Sequence, residues 1–280
     1  MGLTLPQPPA RSAGESIRQD LWRGMTCMWA PCVTGRFSQG TSYTSRYAAI
    51  PDLGTNREGM RKSGGNPAMS PYGPSIVFAG GSNGGFFVSA GSVSSLNFIH
   101  QTAIYSISAL IRSDAVGTFS TIADTANGTG GSKGFTMYQT SGGLVTFAAY
   151  NGVPGTIVNG AASTSLIAGN WYHILVTCDG TNQRIWINGR RNGSDAAVGT
   201  LGTGNATASM ALGTYSGAGA NTNSWNGQIA YFGIWNRVLS GKVAKSFGED
   251  PLLMFRRKQR IIGKSITVSD VFIPQSIVIC

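Results

Sequence analysis

With 40 glycines and 11% charged residues among 280, the chain lacks the Glu, Lys, Leu and Ala that long surface helices need, and at 41% apolar and 10% aromatic it is too hydrophobic to stay disordered. Its net charge of +10 belongs to the ends: residues 1–62 carry four positive charges in excess, residues 63–236 one, and residues 237–280 five. No run approaches the ~20 apolar residues that cross a bilayer as a helix, so no membrane partner is expected.

Residues 1–20, rich in Pro, Arg, Ser and Gly and without apolar periodicity, read as an N-terminal arm. The opening Met1-Gly-Leu-Thr-Leu-Pro6 shows no basic-then-apolar leader, and a product made in a cytoplasm is expected. Leu21 to Val33 is apolar and aromatic enough for a strand. Phe37 to Pro74 reads as a long irregular excursion punctuated by Gly64-Gly-Asn-Pro67 and Ser70-Pro-Tyr-Gly-Pro74. Loops of that length in compact domains usually bind something or are pinned by neighbours.

From Ser75 the strand signals become regular, over 75–79, 85–89, 103–111, 119–123, 134–139, 144–150, 155–158, 171–178, 183–188, 209–213 and 228–235. This spacing suits sandwiches and barrels. Eight Asn-Gly or Asp-Gly pairs at strand boundaries, from Asn83-Gly84 to Asn226-Gly227, favour the positive φ of hairpin turns and bias the topology toward antiparallel. Trp171-Tyr-His-Ile-Leu-Val-Thr-Cys178 is apolar in both alternation phases, so both its faces must be covered, as in the centre of a packed layer. After Asp179-Gly-Thr-Asn182 the chain returns with Ile185 and Ile187 on one face and Trp186 on the other. Ser240 to Phe247 offers one helical stretch, with Val243, Ala244 and Phe247 as its apolar stripe. The sequence therefore predicts an all-β antiparallel two-sheet sandwich over 21–247, containing the loop 37–74, between the arm 1–20 and a basic tail 248–280.

The chemistry-bearing residues are sparse. Cys27, Cys32, Cys178 and Cys280 are scattered, and His100 and His173 lie far from the Cys27/Cys32 pair, so neither a disulfide framework nor a zinc site is expected. The three glutamates, Glu15, Glu58 and Glu249, fall on no confident core strand, which argues against the carboxylate pair of a glycosidase. His173 sits inside a packed strand and reads as structural rather than as a general base. Gly128-Thr-Gly-Gly-Ser-Lys133 lacks the spacing and following helix of a phosphate loop. No cofactor is expected. Calcium is the one ion considered, with Asp124, Asp179 and Asp195 as rim candidates, each isolated in sequence.

Leu166 to Gly180 followed by Arg184-Ile-Trp-Ile-Asn-Gly189 resembles the laminin-G-like signature: a leading Trp, a His, an alternating strand, an Asp-Gly turn and a strand ending in Asn-Gly. Trp225 to Ser240 looks like the closing segment of that family, and Tyr105–Arg112 and Gly134–Tyr138 fit its earlier strands. The resemblance implies a concanavalin A-like jelly roll, a fold that hosts lectins, adhesion modules, enzymes and virion proteins. The aromatic and basic stretch Asp250-Pro-Leu-Leu-Met-Phe-Arg-Arg257 is similar to the ends of laminin-G-like proteins encoded among tailed-phage structural genes. That similarity implies a non-enzymatic virion component, such as a capsid decoration protein, present in many copies and held by its termini to other virion proteins.

Two binding surfaces follow. The dense basic cluster Arg256, Arg257, Lys258 and Arg260 is the docking candidate, for protein rather than nucleic acid, because no recognition helix or interleaved aromatics accompany it. The apolar run 265–280 after it could add strands to a neighbouring subunit. The alternative is a lectin-like adhesion module, for which Tyr150, Tyr215 and Trp225, near predicted loops, are the candidates for stacking on sugar rings.

Overall fold

The computed structural model describes residues 19–34, 49–50, 53–55, 60–62, 66–81, 87–89, 93–127, 131–152, 156–215 and 223–256. In chain order the elements begin with α1 (Gln19–Trp22), β1 (Met25–Trp29), α2 (Pro31–Thr34), β2 (Ala49–Ile50), β3 (Met60–Lys62), β4 (Asn66–Ser70), β5 (Gly73–Gly81), β6 (Phe87–Ser89) and α3 (Phe98–Gln101). The regular part follows as β7 (Ile104–Ser113), β8 (Ser120–Asp124), β9 (Lys133–Gln139), β10 (Val145–Asn151), β11 (Thr156–Ala161), β12 (Trp171–Asp179) and β13 (Asn182–Ile187). The chain closes with β14 (Arg190–Arg191), β15 (Ala196–Ala197), β16 (Ala211–Leu212), β17 (Ser224–Trp235), α4 (Gly241–Glu249) and the 3-10 turn η1 (Leu253–Phe255).

Backbone pairing sorts these strands into two layers. The first runs β4–β5–β17–β7–β12–β13, with β1 extending the β5 side of β17 and β14 and β15 at the far edge. The second runs β2–β3–β6–β16–β8–β9–β10–β11. Nearly all contacts are antiparallel. The exception is one parallel bridge, Ser224 to Thr121, which ties the layers at a corner. This is the antiparallel jelly-roll sandwich that the alternation and the turn residues predict.

The core lies between the layers, where Ile107, Ile111, Ile174, Val176, Ile229 and Ile234 of the first meet Ile122, Phe135, Met137, Phe147 and Ile157 of the second. The first layer carries a second apolar cluster on its outer face, where Leu110, Leu175, Tyr231 and Trp235 lie under Leu21, Phe247 and Met254. Both phases of β12 are thereby buried, as its sequence demands. A bulge in β17 between Ile229 and Tyr231 puts Ala230 and Tyr231 into this outer cluster while Phe232 returns to the core.

The structure departs from the sequence reading in two places. The stretch 37–74 is not uniformly irregular: it contributes β2, β3 and β4, which extend both layers. Pro67 in β4 fits an edge strand, since proline has no N–H to donate inward. Residues 248–256, read as the start of a tail, belong to the fold. Met254 is fully buried, and its carbonyl accepts a hydrogen bond from Trp22 Nε1 at 2.9 Å.

Candidate functional site: the outer face of the second layer

The two outer faces differ in cover. Helices close the first layer, whereas the outer side of β8 to β11 presents its own side chains. Register places them in cross-strand rows. One row runs Ala211, Asp124, Thr136, Ala148 and Asn159, and the next runs Thr121, Tyr138, Thr146 and Ala161. In β9 and β10 the alternate residues Phe135, Met137, Phe147 and Ala149 enter the core, which forces Thr136, Tyr138, Thr146 and Tyr150 outward. The β8 bulge between Thr121 and Ala123 re-aims the strand so that Asp124 joins Thr136 on the outer face.

Aromatic rings frame this threonine floor. Phe119, just before β8, stacks on Tyr138 with ring centroids 4.7 Å apart and lies 6.2 Å from Tyr215, which follows β16. Tyr150 stands further along β10. All four rings are half-buried, so each keeps an open face or edge. Thr121, Thr136 and Thr146 beneath them are buried.

The polar atoms converge. Asp124 is fully buried; it accepts 2.5 Å from Thr136 Oγ1 and 2.8 Å from the Asn127 amide. Burial raises the Tyr150 hydroxyl to about 12, with Tyr138, Tyr215 and Asp124 adding to the rise and Thr136 opposing it. Burial likewise raises Tyr215, opposed by Thr121, and Tyr138, opposed by Thr146. The three phenols therefore stay protonated across the physiological range, and each can donate and accept one hydrogen bond. Aromatic walls over a hydroxyl-rich floor bury the apolar faces of a small polar molecule while satisfying its hydroxyls.

Two of the three aromatic candidates read from the sequence, Tyr150 and Tyr215, come together here. Trp225 does not. It is fully buried in the core between the layers, because the bridge at Ser224 turns the start of β17 inward, and it offers no surface to a ligand. Sequence reading missed Phe119 and Tyr138. The alternation in 134–139 and 144–150 held that signal, since the residues between core positions must point away from the core.

The other candidates fall elsewhere. Asp179 accepts from the amides of Thr181 and Asn182 and pairs with Arg184, which holds its carboxyl down at about 2. Asp195 pairs with Arg184 at 3.0 Å and with Arg191, so arginines already occupy both rim carboxylates, in the layer opposite Asp124. Among the described residues no three His, Cys, Asp or Glu side chains gather as a metal site would require. His173 is buried in the outer cluster of the first layer. Arg256 is exposed and pairs with Asp250 at 2.6 Å, while Arg257, Lys258 and Arg260 lie outside the described residues.

A laminin-G family model described as the concanavalin A-like lectin/glucanases superfamily matches residues 76–243, more than half of the chain. The chain belongs to this superfamily. Its concanavalin A-like fold is shared at low identity by the binding domain of Paraclostridial Mosquitocidal Protein 1, with TM-score 0.60 and 15% identity over 83% of this chain and 53% of that one. It is shared by domain 4 of AbnA, an extracellular arabinanase of Geobacillus stearothermophilus solved in complex with arabinotriose, with TM-score 0.55 and 14% identity over 80% of this chain and 98% of that domain. The binding domain of Botulinum Neurotoxin DC, solved in complex with SialylT, aligns with TM-score 0.52 and 16% identity over 71% of this chain and 48% of that one. The chain thus spans about half the length of the toxin binding domains it matches and nearly all of the arabinanase domain. No curated protein sequence matches it.

Proposed function

We propose that this chain is a non-enzymatic glycan-binding module whose ligand lies on the outer face of β8 to β11. The observation that carries the reading is the set Phe119, Tyr138, Tyr150 and Tyr215, four half-buried rings around a threonine floor on the one sheet face that no helix covers. Asp124 is the single carboxylate on this face among the described residues, and sugar hydrolysis by the usual route uses two. The concanavalin A-like relatives solved with arabinotriose and SialylT support the same class of ligand. The test is a glycan array with the intact chain and the variants Tyr150→Ala and Tyr215→Ala. Each truncation is expected to weaken binding about tenfold or more, at an unchanged melting temperature, as loss of one ring contact implies. Binding indifferent to both truncations rules out the face. Trp225→Ala is expected to act differently, costing about 3–5 kcal/mol of stability as a core truncation.

A second reading concerns how the module is mounted. The two described ends meet on the far layer, where Trp22 donates to the Met254 carbonyl and packs edge-on against Phe255 at 6.1 Å. Both basic ends of the sequence therefore leave from the side opposite the aromatic face. Anchoring by the termini to other proteins of a tailed-phage particle, assembled in the host cytoplasm, would direct that face outward.

A further inference from the structure

The aromatic face carries its own statement about ligand charge, and this inference rests on the glycan reading above. Outward positions on β8 to β11 are threonine, tyrosine, alanine and asparagine, with Asp124 as the one charged group at their centre. The cations are elsewhere. Lys133 opens β9, but its chain runs along Gly152 and its Nζ reaches Gly204, at the end of the sandwich. Arg184, Arg190 and Arg191 belong to the edge of the other layer, and Lys242 and Lys245 to the helix that covers that layer. By register the next basic position on the second layer is Arg61, which follows Val88 and Ala211 across from Asp124. That is three strand spacings, ~14 Å, which exceeds a Debye length at physiological salt.

A carboxylate or sulfate on a sugar seated against Tyr150 and Tyr215 would thus lie close to a buried anion with no cation in reach. Burial strengthens that repulsion, because little water screens it. We infer that the face selects uncharged sugars and that Asp124 is the residue that rejects uronic, sialylated or sulfated ones. Asp124 acts through its charge. An asparagine keeps its shape, and the Thr136 hydroxyl can turn to accept from the new amide.

The experiment is an array printed with neutral and acidic members of the same backbones, read with the intact chain and with Tyr150→Ala, Tyr215→Ala and Asp124→Asn, at about 20 and about 300 mM salt. Expected are neutral hits that both tyrosine truncations abolish and that salt leaves unchanged. Asp124→Asn is expected to raise the acidic-to-neutral binding ratio about fivefold or more, with neutral binding retained. In the unaltered chain, weak binding of acidic members should strengthen at the higher salt, a readout independent of how the variant folds. Acidic hits that the tyrosine truncations abolish would overturn the charge selection while leaving the aromatic face as the site. Hits that survive both truncations, or an array without hits, would overturn the glycan reading itself. A folded Asp124→Asn with an unchanged ratio would remove Asp124 as the selecting residue.

Discussion

At the scale of single residues, the buried group that most affects stability is His173. Its Nε2 lies 2.8 Å from Ser108 Oγ, which lies 3.2 Å from the Tyr231 hydroxyl, and that hydroxyl donates to the Pro251 carbonyl at 3.0 Å. One proton assignment satisfies the whole chain: Nε2–H donates to Ser108, Ser108 to Tyr231, and Tyr231 to Pro251. It leaves Nδ1 unprotonated, and Nδ1 is buried with no partner for a proton. Burial accordingly pushes the imidazole down from 6.5 to about 3. The unfolded chain takes up this proton as pH falls through about 6.5, whereas the folded chain resists until about 3. Stability from the neutral histidine is therefore full above that window and declines through it, by on the order of 4 kcal/mol in total. Urea unfolding between about pH 6.5 and 4.5, above the ordinary carboxylate range, should show this slope, and His173→Gln should flatten it. An unchanged slope in that variant would assign the acid sensitivity elsewhere. Glycan binding should ignore the same window, since the phenols of the aromatic face remain protonated throughout.

At the scale of elements, the hairpin from β12 to β14 shows how far the sequence could be read. Asn188-Gly189 announces a tight turn, and the turn has φ of 47° at Asn188 and 77° at Gly189, the left-handed pair of a type I′ hairpin. The sequence does not disclose that α4 then packs on this turn. A Cβ on Gly189 would stand 2.9 Å from Gly248 Cα and 3.0 Å from the carbonyl oxygens of Ala244 and Lys245. Gly189→Ala combines a left-handed backbone with backbone collisions, so it is expected to cost about 2 kcal/mol or more and to loosen α4 first, readable as faster amide exchange over 241–249. The same contrast holds elsewhere. Strands with strong alternation, such as Trp171–Cys178 and Gly134–Gln139, were legible because one residue in two must enter a core. The short strands β2, β3, β14 and β15 were not, because two or three residues carry no period and exist only through their partners. Trp225 was misjudged for a related reason. Proximity to a loop says nothing about which way a bridge turns a strand, whereas Tyr138 and Tyr150 are fixed outward by their core-facing neighbours.

For the molecule as a whole, the two faces of the sandwich divide the work. One is open, aromatic and nearly uncharged, and the other is sealed by the chain ends. The position of that seal changes where the domain stops. Pro251 terminates the hydrogen-bond chain from His173, and Met254 is buried in the outer cluster beneath Trp22 and Phe255. Arg256 contributes one ion pair to Asp250, in which its own side chain is 67% exposed, and such a pair adds little. Two truncations therefore separate fold from anchoring. Removing residues 257–280 should leave the melting temperature within a few degrees and glycan binding intact, while any incorporation into a particle is lost. Removing residues 250–280 deletes the Met254 side chain and exposes Leu21, Tyr231 and Phe247. From the core truncation alone it should cost about 2–5 kcal/mol and lower the melting temperature by several degrees. Calorimetry of the two proteins side by side checks the boundary. A large loss of stability in the shorter deletion would mean that residues 257–280 pack on this domain rather than serve a neighbour, and normal incorporation of that deletion would take the anchoring role away from them.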